Sequence, residues 1–576
     1  MNGGTIDIEG ASQYVYGIYN EGDGTKNITI NDGTINVINN RENNNSYARM
    51  IYKYGGTVNV LINNGIFNVN IKQSSSSESD YGGLLFEYCN SVTIKDGEFN
   101  VIAPDASKES TVLMAYNVNK ITIDGGKFYL EANRVYGTMY YTTIEVNGGE
   151  IDINSRSNES YIFNSSTTAT VNGGTLNTNR TCMYLSRSKT INGGTLTCGT
   201  YGVVVGGSAN PLTITGGSIT SKNNTIHLYN NSTNNTNSYP VNISGGRIVS
   251  EEGYGIYSNS SNSNLTIDAG SDASIEDYPY IEGATSGIYL EKNGTSTIDK
   301  AQVIGKDGYG VYTNGTMTFG TNEGSISNEY PMIQGTTYGL YINSGTTNVY
   351  DGIFKGQTWG YYGLVSGFPD AGELVDDVES DIEPNLNISY VQEQSNFVRV
   401  KETGIEYNSL QRAINAIEET GTIEILSDHD VKTETTIPSE KKITIDFQNK
   451  TLSMTKQLKN SGELTLTDSL ENNTGGISSI INDGICNYGK LTINYGTYTN
   501  STNTTIYNNT AEIVINGGII TTVSNNNNKF GIYNTADYNN TSTITMNGGT
   551  IDIEGTSQYV YGIYNEGDGT KNITIN

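Results

Sequence analysis

Short runs of alternating apolar and polar residues recur along the chain, each pair separated by a glycine-bearing turn. Examples are NITINDGTINV (27–37), KITIDGGKFYL (120–130), TIEVNGGEIDI (143–153), LTITGGSITS (212–221) and EIVINGGIITTV (512–523). Period-two alternation rich in Ile, Val and Thr predicts strands with one buried face. Successive turns lie 20 to 32 residues apart, and a second segment recurs between them. It reads YGIYN (16–20), YGIYS (254–258), SGIYL (286–290), YGVYT (309–313), YGLYI (338–342) and FGIYN (530–534). Each period therefore predicts three short strands. An isolated Asn-Gly reads as a hairpin, but repetition at this period favours coils that stack on their neighbours. The expected fold is an all-β solenoid with three parallel sheets, each strand pairing with its counterpart one coil away. At ~4.8 Å per strand, roughly 20 coils would make a rod on the order of 100 Å long.

Residues 1–31 and 546–576 are identical except that Thr556 stands where the first copy has Ala11. The offset is 545 residues (546 − 1), which reads as a tandem array. The expectation is that the chain is a window on a longer array, with signal peptide and anchor outside it. One stretch breaks the coil pattern. In 403–426 (TGIEYNSLQRAINAIEETGTIEIL), Leu410, Ala413, Ile414 and Ile417 recur at helical spacing. Asn408 with Gln411 reads as an N-cap pair, Gly421 as the C-terminal stop, and Thr422–Leu426 as the strand that follows. A short helix near 408–420 would cover an open end of the coils and shield unpaired strand edges. Upstream, 370–384 (DAGELVDDVESDIEP) is acidic but lacks calcium-loop spacing, and reads as a solvated loop. The segment 387–401 reads as closing strands. The organisation predicted is thus coils over 1–369, an acidic loop and closing strands over 370–402, a capping helix and first strand over 403–426, and coils of the next unit over 427–576.

The helix-plus-strand opening (SLQRAINAIEETGTIEIL, then KKITIDFQNKTL), the NGGTI turns and the GIYN strands resemble right-handed parallel β-helix proteins of the pectin-lyase-like superfamily. More closely, they resemble large, Asn-rich, adhesin-like surface proteins of low-GC bacteria. GIFKGQTWGYYGLVSGF (352–368) is similar to the last coil of such units. The resemblance implies an extracellular, cell-surface location. It does not imply an activity, because the fold carries lyases, hydrolases, tailspikes and passive adhesins.

Composition narrows the function. Acidic residues outnumber basic ones 60 to 32, for a net charge of −28, yet charged residues are only 16% of the chain. The field is one-signed and dilute, which disfavours a nucleic-acid partner. No run of ~18 apolar residues marks a membrane helix. The strand period argues against disorder, which an acidic, Asn- and Ser-rich composition would otherwise suit. His227 (NTIHLYN) and His429 (SDHDVK, placed in a turn) lack the flanks that β-helix enzymes of this kind need, and no arginine stands in an RxK context. Asp96 and Asp124 occupy a turn slot that favours Asp for conformational reasons. No catalytic set, cofactor site or metal site is predicted; Cys89, Cys182, Cys198 and Cys486 form no CxxC pair. Cys182 and Cys486 read as small stacked residues, with a Cys182–Cys198 disulfide left open because spacing alone does not set its geometry.

One constellation carries a functional hypothesis. With Ile18, Ile256, Ile288, Val311 and Leu340 facing inward, alternation puts Tyr19, Tyr257, Tyr289, Tyr312 and Tyr341 outward. The glycine before each apolar residue is expected to face outward too, leaving the rings uncrowded. Stacked coils would then show a tyrosine ladder, either a packing device or a face for sugar or protein contact. The function expected is a non-enzymatic extracellular adhesin or surface stalk, a monomeric rod that binds glycan or host-surface protein. The alternative is a carbohydrate-active β-helix, either polysaccharide lyase or glycan-binding module.

Overall fold

The computed structural model describes all residues except 42–45, 73–81, 104–109, 207–209, 230–238, 322–325, 328, 368–371, 380–385, 394, 471–473, 524–527 and 555–558. The chain forms two compact units: residues 1–366 with 375–391, and residues 367–374 with 392–576. In the first unit every third strand joins the same sheet, giving sheets of 16, 14 and 13 strands. Sheet I collects the strands that follow the glycine turns, sheet II the YGIY segments, and sheet III the strands that precede the turns. Pairing within the coils is parallel, as in Glu98–Ile102 with Lys127–Ala132. Near its end sheet I changes sense: Asn387–Glu393 lies antiparallel to Ile353–Gly356, and the last strand in the order is Gly372–Glu379, within the stretch expected to be a solvated loop. The second unit repeats the plan with sheets of 9, 6 and 6 strands. The fold is a parallel β-solenoid.

The turns explain why the sequence makes coils rather than hairpins. In Asn172-Gly173-Gly174, a Cβ on Gly173 would lie 2.4 Å from the Asn147 carbonyl oxygen one coil back. Gly174 has φ +84°, and its Cβ would lie 2.8 Å from the Gly149 oxygen. The turns thus lie directly on one another, which leaves room for no side chain and demands the left-handed region. Their polar residues form a chain: Asn147 Nδ2 donates to Asp124, Asn172 to Asn147 and Asn192 to Asn172, each at 2.8 Å. Apolar residues stack likewise inside. Phe67, Phe99 and Phe128 hold one register position, with ring centroids 4.7 and 4.4 Å apart.

The second unit adds a buried polar column to its apolar core. Asn460, Asn487, Asn508, Asn534 and Asn565 pass amide hydrogen bonds along a column at 2.8, 2.7, 2.8 and 2.8 Å. The first four have no exposed surface. This unit opens with the helix Leu410–Ala416, which buries Leu410, Ala413 and Ile414. They share a core with Phe397, Val398 and Val400. Both cap assignments differ from expectation. The N-cap is Ser409, whose Oγ accepts from the Arg412 amide at 3.3 Å. Gln411 instead clamps a neighbouring strand, accepting from the Thr436 amide at 2.7 Å and donating to its carbonyl at 3.1 Å. The helix stops at Ala416, because Ile417 is extended. Gly421 lies beyond it, in the strand Thr420–Ile425, where a Cβ would press on the Ile417 side chain at 3.0 Å. The last carbonyls are satisfied by Lys441, whose ammonium donates to Ile414, Asn415 and Ile417 at 2.9, 3.2 and 2.7 Å.

The duplicated segment forms three strands in each copy, Asn2–Gly10, Tyr14–Glu21 and Thr25–Ile30 in the first and Thr550–Glu554, Tyr559–Glu566 and Thr570–Ile575 in the second. In the first copy Tyr19 pairs with Tyr52 of the following coil; in the second, its equivalent Tyr564 pairs with Tyr533 of the preceding coil. The two copies show the same coil paired on opposite sides. Cys182 and Cys198, in strands of sheets II and I, are joined by a disulfide across 16 residues, so Cys182 is a cross-link rather than a small stacked residue. Cys89 and Cys486 are free and buried.

The inner column should contribute measurably to the stability of the second unit. Replacing Asn508 by Ala strips partners from Asn487, Asn534 and Ser542. The cost should be about 3 kcal/mol, since three buried hydrogen bonds are lost at about 0.5–1.5 kcal/mol each. Asn192→Ala, in the exposed turn chain, should cost under about 1 kcal/mol. Urea unfolding midpoints of the two variants provide the comparison.

Candidate functional site

The tyrosine face is sheet II. Its register places Tyr257, Tyr289, Tyr312, Tyr341 and Tyr362 at one position on five successive coils. The rings stack on each other: centroids are 6.1, 4.3, 5.5 and 5.1 Å apart, with interplanar angles of 18°, 6°, 7° and 20°. Four of the five tyrosines singled out in the sequence are therefore neighbours. Tyr19 holds the same kind of position at the other end of the sheet, on a second aromatic stretch. There the column runs Tyr19, Tyr52, Glu87, Tyr116, Met139. It approaches the main stretch through Tyr184, Val204 and His227.

The glycines do not face outward as expected. Tyr254–Ser258, Tyr309–Thr313 and Tyr338–Ile342 each read half-buried, buried, buried, half-buried, then buried. A Cβ on Gly310 would lie 2.6 Å from the Gly339 oxygen and 2.8 Å from the Ile333 side chain of sheet I. At this glycine the backbone packs closely against the neighbouring sheet, inside a strand whose pairing runs Tyr309 with Tyr338 and then Val311 with Leu340. Strict alternation does not hold here: the first tyrosine of the motif is half-buried like the second, three positions on. A second row results, which the alternation rule missed: Tyr309, Tyr338 and Trp359 share a register position, and Tyr254 belongs to the same row. Its rings touch the first row, as in Tyr254–Tyr257 at 5.3 Å and Tyr309–Tyr312 at 5.4 Å. The leading aromatic in YGIYS, YGVYT, YGLYI and WGYY was the available signal.

Because rings cover one another's faces, the surface presents edges and hydroxyl groups. Burial and the neighbouring Tyr312 and Tyr254 push the Tyr289 phenol up to about 12. Tyr257 is also raised, by burial and by Glu291, whose carboxylate accepts its hydroxyl. Both are protonated donors at neutral pH. His227 lies in the same column, with ring contacts to Tyr201, Tyr229 and Tyr257. Burial pulls it down to about 4, and its Nε2 has no hydrogen-bond partner. His429 lies in the strand His429–Val431 rather than a turn, stacked on Phe397 at 3.7 Å.

A second feature sits where sheet III turns into sheet I. Asp268, Asp299, Asp351, Lys300, Tyr278 and Tyr330 line a cavity of about 330 Å³, beneath a 4.8 Å edge contact between the two tyrosine rings. Two of the carboxylates serve the backbone. Asp268 accepts from the Gly270 amide at 2.8 Å, and Asp351 from Ser327 and Gly352 at 2.8 and 2.7 Å. Lys300 donates to the Gly270 carbonyl at 2.9 Å. Asp299 is raised by burial and by the Asp268 and Asp351 charges, with Lys300 opposing. Among the described residues no group of three or more His, Cys, Asp or Glu is placed to hold a metal ion, and no helix is long and apolar enough to cross a membrane.

His227 gives the aromatic column a pH response. Its folded pKa lies below the unfolded value, so the unfolded chain binds more protons between about pH 6.5 and 4. Stability should fall as pH drops through that window, by about 2 kcal/mol at pH 5. His227→Phe should keep the ring contacts and remove this share of the acid sensitivity, as read from urea midpoints at pH 7 and pH 5. Comparison of the chain with protein-family models, curated proteins and solved structures returned no match, so the reading of this face rests on its geometry.

Proposed function

We propose that this chain is a non-enzymatic, extracellular surface repeat protein whose sheet II face contacts host or glycan surfaces, in keeping with its resemblance to pectin-lyase-like, adhesin-like proteins. The observation that carries the reading is the run of five tyrosines in register with a second aromatic row beside it. A flat array of phenol edges, with a donor group on every coil, suits a partner rich in hydroxyl and carbonyl oxygens. The net charge of −28 turns away polyanions and favours neutral or cationic surfaces. The Cys182–Cys198 disulfide supports an oxidising compartment such as the cell exterior. A second reading, a carbohydrate-active solenoid, is favoured by one observation: Asp299, raised and facing a cavity with Tyr278 and Tyr330.

Changing Tyr289, Tyr312 and Tyr341 together to Ser should reduce binding to a neutral-glycan array or to host cells at least tenfold while circular dichroism still reports strand. Unchanged binding would discard the contact face. The second reading is separated by chemistry: sugar ends released from a polysaccharide panel, and lost on Asp299→Asn, would replace the adhesin by an enzyme.

A further inference from the structure

The closest pair in the aromatic column has a chemistry of its own. Tyr289 and Tyr312 lie on successive coils, with centroids 4.3 Å apart and planes within 6°. The in-register pairing of their strands points both side chains the same way, which sets the ring edge beside one hydroxyl against the matching edge of the other. Both side chains are half-buried, with outward edges open to solvent. Tyr257 and Tyr341 flank the pair at 6.1 and 5.5 Å, so the two rings are held between further rings.

We propose that Tyr289 and Tyr312 are an oxidative cross-linking site, joined as dityrosine by a peroxidase and hydrogen peroxide into a covalent rung between neighbouring coils. Each phenol gives up one electron and its hydroxyl proton, and the two electrons and two protons reduce one peroxide to two waters. The two phenoxyl radicals couple through the ring carbons next to oxygen. The hydrogens on those carbons then move to the oxygens, restoring two phenols. One carbon–carbon bond is formed, and the chain loses two hydrogens. The rung closes a loop of 23 residues (312 − 289), and like a disulfide it restrains the unfolded chain more than the folded one.

The test uses the full chain. It is treated with peroxidase and hydrogen peroxide at low protein concentration, then digested and mapped by mass spectrometry. The expected product is a monomeric chain, lighter by two hydrogens, in which the peptides holding Tyr289 and Tyr312 are linked. Its thermal midpoint should rise. Tyr289→Phe and Tyr312→Phe keep the stacked ring but lack the phenol; each should abolish that linked peptide and the rise, whereas Tyr495→Phe should change neither. Tyr54, Tyr495 and Tyr538 are 59%, 52% and 76% exposed. Dityrosine formed through these residues and joining separate chains, with no 289–312 link, would overturn the proposal, as would the absence of any dityrosine in the folded chain. Either result leaves the contact-face reading untouched, since that reading is scored on glycan and cell binding.

Discussion

Every strand of the coils hydrogen-bonds to its own equivalent one coil away, and most of the structure follows from that constraint. A parallel in-register ladder places each side chain about 4.8 Å from the residue at the same position on the next coil. Each position is therefore a column along the solenoid, and a column tolerates only residues that accept themselves as neighbours. Asn does, because its amide donates and accepts in one direction, as in the column from Asn460 to Asn565. Phe and Tyr do, through stacked rings. Like charges are penalised. In one outer column charge alternates: Lys442, Glu463, Lys490 and Glu512 share one register position, with ion pairs at 2.8 and 3.4 Å between the first two and the last two. The low fraction of charged residues is a consequence of stacking as much as of solubility.

The same constraint governs the glycines. Where the chain turns a corner, the corner of the next coil lies on it, and the Gly173 and Gly174 backbones leave no room for a Cβ. Where a YGIY strand enters its sheet, Gly310 is pressed between Gly339 of the next coil and Ile333 of the adjoining sheet. Two chemically unrelated positions thus require the same residue, one for turn conformation and close approach, the other for close approach alone.

What the sequence disclosed divides along this line. Strands and coil period were legible because alternation is local and the turn motif repeats. The outward tyrosines were legible for the same reason. The second row was not, because Tyr254 and Tyr257 are three positions apart, and strict alternation puts such residues on opposite faces, yet both are half-buried with their rings 5.3 Å apart. Nor was the interruption of the column at Glu87 and Met139 legible, since finding it requires the register of long coils. The helix showed the same limit. Its apolar spacing identified it, but its ends are set by tertiary partners. The ammonium of Lys441, more than twenty residues downstream, takes the carbonyls that a C-terminal glycine motif would otherwise help to satisfy.

The aromatic column illustrates how one packing rule fixes what a surface can do. Rings that stack to stabilise adjacent coils spend their faces on each other, so the face-on sugar stacking that an isolated tyrosine offers is closed to Tyr289 and Tyr312. What remains outward is the ring edge and the hydroxyl, repeated at the period of the backbone ladder. Such a surface is strong in number and weak in each element. One phenol makes one modest hydrogen bond, while a partner that matches the period meets several at once, and its second and later contacts are intramolecular. On the proposed contact reading, selectivity would lie in spacing and direction along the coil axis more than in the chemistry of any single tyrosine. Changes that alter coil length between the rows should matter as much as changes to the rings themselves, because they break the period on which simultaneous engagement depends.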